Sequence, residues 1–339
     1  MNRHANCPKP VILGILSIAL TACDTSAQQT KAIADSPETA AKVRALVDKT
    51  RGQMKFIAGG SFWLGDFGVI MPGTGDGKLA DKPPDGPKMP PADYLPFTEY
   101  KDNKPPRWVT FTGFSMQSHK VTYGDFDVYV AANGLPAHPP VGDDIFHLVW
   151  KDARTSDDIP AGVTWPQAKA YCQWLGKVTG LPFDLPTEAQ WEFAASNRTN
   201  SASRGFPSVS GRLEEGKNHP TFEKIEEMFG AHGALYPVGL YPASPAGLHA
   251  LVGNGLDWTN DWYSPQGYAV GPDLNPTGPA TGTEKVLRGT PPREGFGRIP
   301  HLTRRHRTPE GKLVASEPYP YNIESFRCVL NQAFPIASQ

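Results

Sequence analysis

The chain has 339 residues with 33 basic and 34 acidic side chains, a formal net charge of −1 at pH 7. So even a balance gives no electrostatic reason to expect a nucleic-acid partner, because phosphate backbones are met by a clear excess of Lys and Arg. With 34 Gly and 35 Pro, the composition argues for many turns and irregular loops, around one large core or at most two domains.

At the amino terminus, Arg3 and Lys9 precede an apolar run from Val11 to Leu20. That run is about half of the roughly 20 residues a helix needs to cross a bilayer, so residues 1–22 read as a secretory signal peptide. Leu20-Thr21-Ala22-Cys23 resembles the bacterial lipobox, in which the cysteine receives a diacylglycerol before cleavage. The alternative is an ordinary signal peptide followed by a chance cysteine. On the lipobox reading Cys23 starts the mature chain, membrane lipid is its first partner, and the protein sits on the periplasmic side of a bacterial membrane. Acyl chains contribute about 0.8 kcal/mol per buried methylene, so two or three make a lasting anchor. Asp24 resembles an inner-membrane retention signal, which favours that membrane over the outer one. The mature chain keeps 31 basic and 34 acidic side chains, and no second apolar stretch is long enough to span a bilayer.

Residues 23–53 read as a lipid-anchored tether followed by a short helix, with Ser36 as cap and Pro37 at the first helical position, ending near Lys49. The main domain is expected from 54 to 333. Lys55 to Gly65 suggests two short strands around a Gly59-Gly60 turn, and the Pro- and Gly-rich stretch 68–107 a long surface insertion. Val109-Thr110-Phe111-Thr112 alternates as a strand. Thr122 caps a helix running to about Ala132, where Asn133-Gly134 stops it. Thr164-Trp165-Pro166 opens a second, with Ala168, Tyr171, Cys172 and Leu175 along its inner side. Thr187 heads a third, and Gln190 completes a capping box. From Gly247 onward the chain reads as loops and short strands. Cys7 leaves with the signal peptide and Cys23 takes lipid, which leaves Cys172 and Cys328. They are either bridged, closing a loop worth roughly 5 kcal/mol in the chain-entropy model, or buried as two free thiols.

Several blocks occur in a telling order: Phe56 to Gly65, His119 to Phe126, Gly162 to Leu175, and the most specific, Leu185-Pro186-Thr187-Glu188-Ala189-Gln190-Trp191-Glu192-Phe193-Ala194. Gly253-Asn254, Asp257-Trp258-Thr259, Asp261-Trp262-Tyr263, Val286-Leu287-Arg288-Gly289 and Phe326-Arg327-Cys328-Val329 follow. Together they resemble the sulfatase-modifying-factor, or formylglycine-generating-enzyme-like, family over residues 54–331. The resemblance implies an α+β fold, a variant of the C-type-lectin-like architecture with much irregular structure around a small twisted sheet. It also implies a Cys172–Cys328 disulfide, since some members join the corresponding cysteines.

Departures from the family pattern carry the functional expectations. Formylglycine-generating enzymes oxidise a substrate cysteine with two cysteines that hold copper, and thiolates suit Cu(I) because soft sulfur binds it. Those cysteines belong just after Val286-Leu287-Arg288-Gly289, yet residues 289–304 contain none and Thr290 replaces the second glycine. Copper and the oxidase activity are therefore not expected. The iron sulfoxide synthases of this fold need a histidine cluster that the sequence lacks. His301 and His306 lie beside Arg304, Arg305 and Arg307, cations that oppose a metal. This stretch matches an Arg-rich structural strand whose arginines pair with internal acids; Arg293, His301 and Arg304 are the candidates for the alternative, a ligand-binding role. The family's structural calcium site corresponds to Gly253, Gly255 and Asp257, weakened because Ala250 replaces one side-chain ligand.

Two functions follow from the resemblance. In one, the domain is a non-catalytic module that binds a protein partner in the periplasm, for example as an immunity or inhibitor protein against a delivered toxin; loops on a rigid scaffold vary freely. In the other, it is a periplasmic maturation enzyme like the pyoverdine-maturation members, which also lack the cysteine pair.

Overall fold

The computed structural model describes residues 36–66, 69–70, 94–96, 98–136, 154, 156–196, 235–251, 253–266, 268, 271–289, 302–311 and 323–336. The signal peptide, Cys23, Asp24, most of the expected insertion, Arg293 and His301 lie outside the described residues.

Helix α1 (Pro37–Gln53) starts where Ser36 Oγ accepts the Thr39 N–H at 3.1 Å, with proline at its first position. It runs four residues past Lys49, because its far end is held by the body of the fold. Leu46 is buried, Lys49 reaches Asp125 at 2.7 Å, and the Ser118 N–H donates to Gln53 O at 2.9 Å. Among the described residues, the folded body thus includes this helix, ahead of Met54.

Strand β1 (Met54–Leu64) is continuous, so the expected Gly-Gly hairpin does not form. It pairs along its length with antiparallel β4 (Arg107–Gln117), from Met54 opposite Gln117 to Leu64 opposite Arg107. The glycines serve close approach instead of a turn. A Cβ on Gly59 would stand 2.3 Å from the Phe111 carbonyl oxygen, a distance no side chain tolerates. Between these strands, β2 (Val69–Ile70) pairs with β3 (Tyr94–Leu95). The end of the expected surface insertion is built into the body. Asp66 accepts the Thr98 N–H and O–H at 2.8 Å each, and Asn103 Nδ2 donates to Leu302 O at 3.1 Å.

The remaining elements are α2 (Tyr123–Ala132), α3 (Trp165–Thr179), β5 (Phe183–Asp184), α4 (Glu188–Ala195), β6 (Leu256–Trp262), β7 (Lys285–Arg288), β8 (Arg304–Arg307), β9 (Glu324–Ser325) and β10 (Val329–Leu330). They form two four-stranded sheets, ordered β1-β4-β10-β5 and β8-β7-β6-β9, with β6 and β9 parallel. Among the described residues regular structure is modest and the rest is loop, in keeping with the glycine and proline content.

Two apolar clusters fill the interior. One gathers Phe126, Tyr171, Trp258 and Phe326 around α2, α3 and β6; the other packs Phe62, Phe111, Phe114 and Phe193 between β1, β4 and α4. Phe193 lies 5.0 Å from Phe62 and 4.9 Å from Phe111 between ring centroids. Burying each such ring stabilises by about 1.5–3 kcal/mol, and this cluster presses α4 onto the first sheet. Cys172 on α3 and Cys328 beside β10 are joined in a disulfide, with Cα atoms 5.6 Å apart.

Candidate functional site

The segment where the family's chemistry resides leaves β7 and returns in β8, so the groups at the ends of these strands frame the site. Helix α4 supplies the acids. Thr187 Oγ1 accepts the Gln190 N–H at 3.1 Å while Gln190 Oε1 accepts the Thr187 N–H at 2.9 Å, and this box fixes the start of the helix. All eight residues of α4 are buried, including Glu188 and Glu192, which share one face by their i, i+4 spacing.

Both acids meet arginines from the second sheet. Arg288 reaches Glu188 at 2.8 Å and Glu192 at 2.7 Å; Arg304 grips Glu188 with two bonds, at 2.7 and 2.9 Å. Tyr268 OH donates to Glu188 at 3.1 Å and lies 3.3 Å from Glu192, while the Gly65 N–H bonds Glu192 at 2.6 Å. Two carboxylates thus balance two guanidinium groups. Burial works against ionised Glu188, but Arg304 and Arg288 outweigh it and hold its pKa below the usual range. Burial dominates at Glu192 and raises its pKa against the pull of Arg288.

Asp261 sits at the mouth of α4, where Oδ2 accepts the Glu188 N–H at 2.8 Å and Oδ1 accepts the Gly278 N–H. Burial and the charge of Glu188 push its pKa up to about 7, against those two bonds. The hollow beside it, lined by Arg107, Glu188, Asp261, Tyr268, Thr277 and Arg304, has a volume of about 30 Å³. That is room for one water molecule. The network therefore braces β7 and β8 against α4.

Strand β8 is buried throughout. His306 Nδ1 lies 2.6 Å from Glu284 and its ring stacks on Tyr263 at 3.8 Å, while Arg307 is 3.4 Å from Glu324. Arg304, a candidate ligand contact, is instead paired with Glu188, with its side chain only 2% exposed. The other two candidates, Arg293 and His301, lie outside the described residues.

Asp257, which the resemblance places in a weakened calcium site, lies among cationic side chains. Its two oxygens face Lys120 at 2.7 Å and Arg327 at 3.0 Å, and Oδ2 also accepts the Trp191 indole N–H at 2.9 Å. Gly253 and Gly255, with φ of 74° and 86°, turn the chain into β6. Between them, the Asn254 amide bonds both backbone groups of Tyr236, at 2.8 and 2.9 Å. Among the described residues no group of three His, Cys, Asp or Glu side chains is placed to hold a metal. Sequence reasoning passed over Lys120, Glu188, Glu192 and Arg327 as functional partners. The available signal was a pair of acids at i, i+4 inside an otherwise apolar eight-residue helix.

The family model of the sulfatase-modifying factor enzyme 1-like domain matches residues 40–315. The chain belongs to that family. It is similar to the formylglycine-generating enzyme of Streptomyces coelicolor, 36% identical over 132 residues that cover 38% of this chain and 40% of that relative. The chain thus spans less than half of that relative's length. Among solved structures it is similar to PvdO from Pseudomonas aeruginosa, with a TM-score of 0.55 and 21% identity over 82% of this chain and 93% of that one. Treponema denticola variable protein 1 is similar too, with a TM-score of 0.54 and 18% identity over 82% and 95% of the two chains. These likenesses show the family fold, and the match from residue 40 takes in most of α1.

Proposed function

We propose that this family member is a lipoprotein, anchored through Cys23 on the periplasmic side of a bacterial membrane, whose domain binds a protein partner without catalysing formylglycine formation. One observation carries the non-catalytic part of this reading. The sequence has four cysteines; Cys7 and Cys23 precede the family match, and Cys172 and Cys328 are joined to each other. No thiolate pair is left to hold Cu(I), and residues 289–304 supply none. The segment joining the braced strands β7 and β8 departs from the family pattern in sequence, and connections on rigid scaffolds are where recognition surfaces are commonly presented. A toxin delivered to the periplasm is one partner of the kind such a module would neutralise.

The test supplies the purified protein with copper and a Cys-x-Pro-x-Arg sulfatase peptide. The expected outcome is an unmodified peptide by mass spectrometry, whereas formylglycine at its cysteine, dependent on this protein, would refute the assignment.

A further inference from the structure

A second hollow adjoins the first, sharing Pro276 and Thr277 with it. It is a groove of about 320 Å³ between β4, the start of α4, the segment 275–277 and the chain just past β10. Its polar lining consists of hydroxyl and amide side chains, chiefly Thr112, Thr187, Asn260, Asn275, Asn331 and Gln332, and none of its lining residues is ionisable. In a chain that is one-fifth charged, a lining without an ionisable residue offers an ion no direct counter-charge and favours a neutral polar ligand.

Its hydrogen-bonding groups are arranged for a ligand that both donates and accepts. Asn331 commits its oxygen to Gln190 Nε2 at 2.9 Å, and Asn260 commits its oxygen to Lys169 at 2.9 Å. Each keeps its NH2 group clear of protein acceptors among the described residues. Gln332 does the converse, donating its NH2 to Phe334 O at 3.1 Å and keeping its oxygen. Hydroxyl groups satisfy both kinds at once. A peptide adding as a strand is disfavoured, because the β4 edge is already occupied: the Thr112 N–H donates to Asn275 Oδ1 at 3.0 Å, and Thr110 exchanges backbone bonds with Asp273 and Asn275 at 2.8 Å. Apolar surface adjoins this polar lining. Leu274 and Phe334, 55% and 65% exposed, are the two most exposed large apolar side chains among the described residues. They immediately precede Asn275 and follow Ala333, both in the lining. Sugar rings present this combination of hydroxyl edges and C–H faces, and the volume is at the small end of ligand sites.

We propose that this groove binds a neutral oligosaccharide. The assignment goes beyond the partner-binding reading and depends on neither the lipid anchor nor the 289–303 loop. The test titrates the full-length protein, in a detergent without a sugar headgroup, with maltotriose, mannotriose and tri-N-acetylchitotriose by calorimetry, and with a neutral Gly/Ser/Thr peptide as comparison. At least one trisaccharide should bind with a dissociation constant below the order of 1 mM. The double variant Asn331→Leu/Gln332→Leu should weaken it by about tenfold or more while keeping a cooperative unfolding transition. Absence of binding by all three sugars at concentrations on the order of 10 mM, binding that the double variant leaves intact, or binding of the peptide in place of the sugars would each overturn the proposal.

Discussion

Asp257→Asn should destabilise this protein far more than Lys120→Met, although the two residues form one ion pair at 2.7 Å with neither side chain exposed. The reason is stoichiometry. Asp257 is one carboxylate between two cations, since Arg327 also bonds it at 3.0 Å. Removing its charge leaves Lys120 and Arg327 buried together without a counter-charge, a change that costs about 3–5 kcal/mol. At about 2–4 °C per kcal/mol for a domain of this size, the midpoint should fall by roughly 10 °C. Removing Lys120 leaves a balanced Asp257–Arg327 pair, so the cost should be about 1 kcal/mol or less. Lys120 is also the strained member: burial, with Arg327 nearby, lowers its pKa from 10.5 to about 8 against the attraction of Asp257. Between pH 8 and 10.5 the unfolded chain holds this proton and the folded one releases it, so stability rises with pH across that window. Lys120→Met should flatten the rise. The assay is urea unfolding followed by circular dichroism from pH 7 to 10.5. A Lys120→Met loss equal to that of Asp257→Asn would refute the reasoning.

Alkylation of the denatured mature protein should find no free thiol until reductant is added, and reduction should lower stability by at most roughly 5 kcal/mol, the chain-entropy value for so long a loop. Two labelled cysteines before reduction would contradict the Cys172–Cys328 bridge. His119 stacks on His249 at 4.2 Å, and burial, with the charges of His249 and Arg327, drops its pKa from 6.5 to about 4. Its contribution to stability is complete above pH 6.5 and disappears as the pH falls towards 4, so His119→Gln should show a shallower acid limb in unfolding midpoints. Cys23→Ser should abolish palmitate labelling and leave an uncleaved or mislocalised precursor; normal processing and membrane fractionation of the variant would dismiss the anchor.

Local chemistry was easiest to read in the sequence. Thr122, Thr164 and Thr187 each precede a helix, because capping uses side chains within three residues of the backbone groups they satisfy. The family fold was carried by blocks dominated by core residues such as Trp191, Phe193, Trp258 and Phe326, all fully or almost fully buried. Gly59-Gly60 misled because two glycines look the same whether a chain turns or two backbones touch. The deciding contact is with Phe111, far along the sequence. The ion pairs of Asp257 were hidden for a related reason: Lys120 and Arg327 come in from β4's exit and the approach to β10. Arg304 pairs with an internal acid as its Arg-rich stretch suggested, but that the acid is Glu188 on α4 could not be read from spacing. Spacing reports what one element does, and these pairs form between elements.

The place of β10 constrains when this protein can fold. Its two residues, Val329 and Leu330, lie between β4 and β5, so the first sheet has a vacant centre until a segment far along the chain from β4 has been made. Cys172 waits for the same segment, since Cys328 immediately precedes the strand. A nascent chain lacking residues 328–330 therefore has neither a closed sheet nor a cross-link, and its contacts are mainly between distant residues, which form slowly. Closure of the first sheet and formation of the cross-link are therefore one event, set by the arrival of a single two-residue strand.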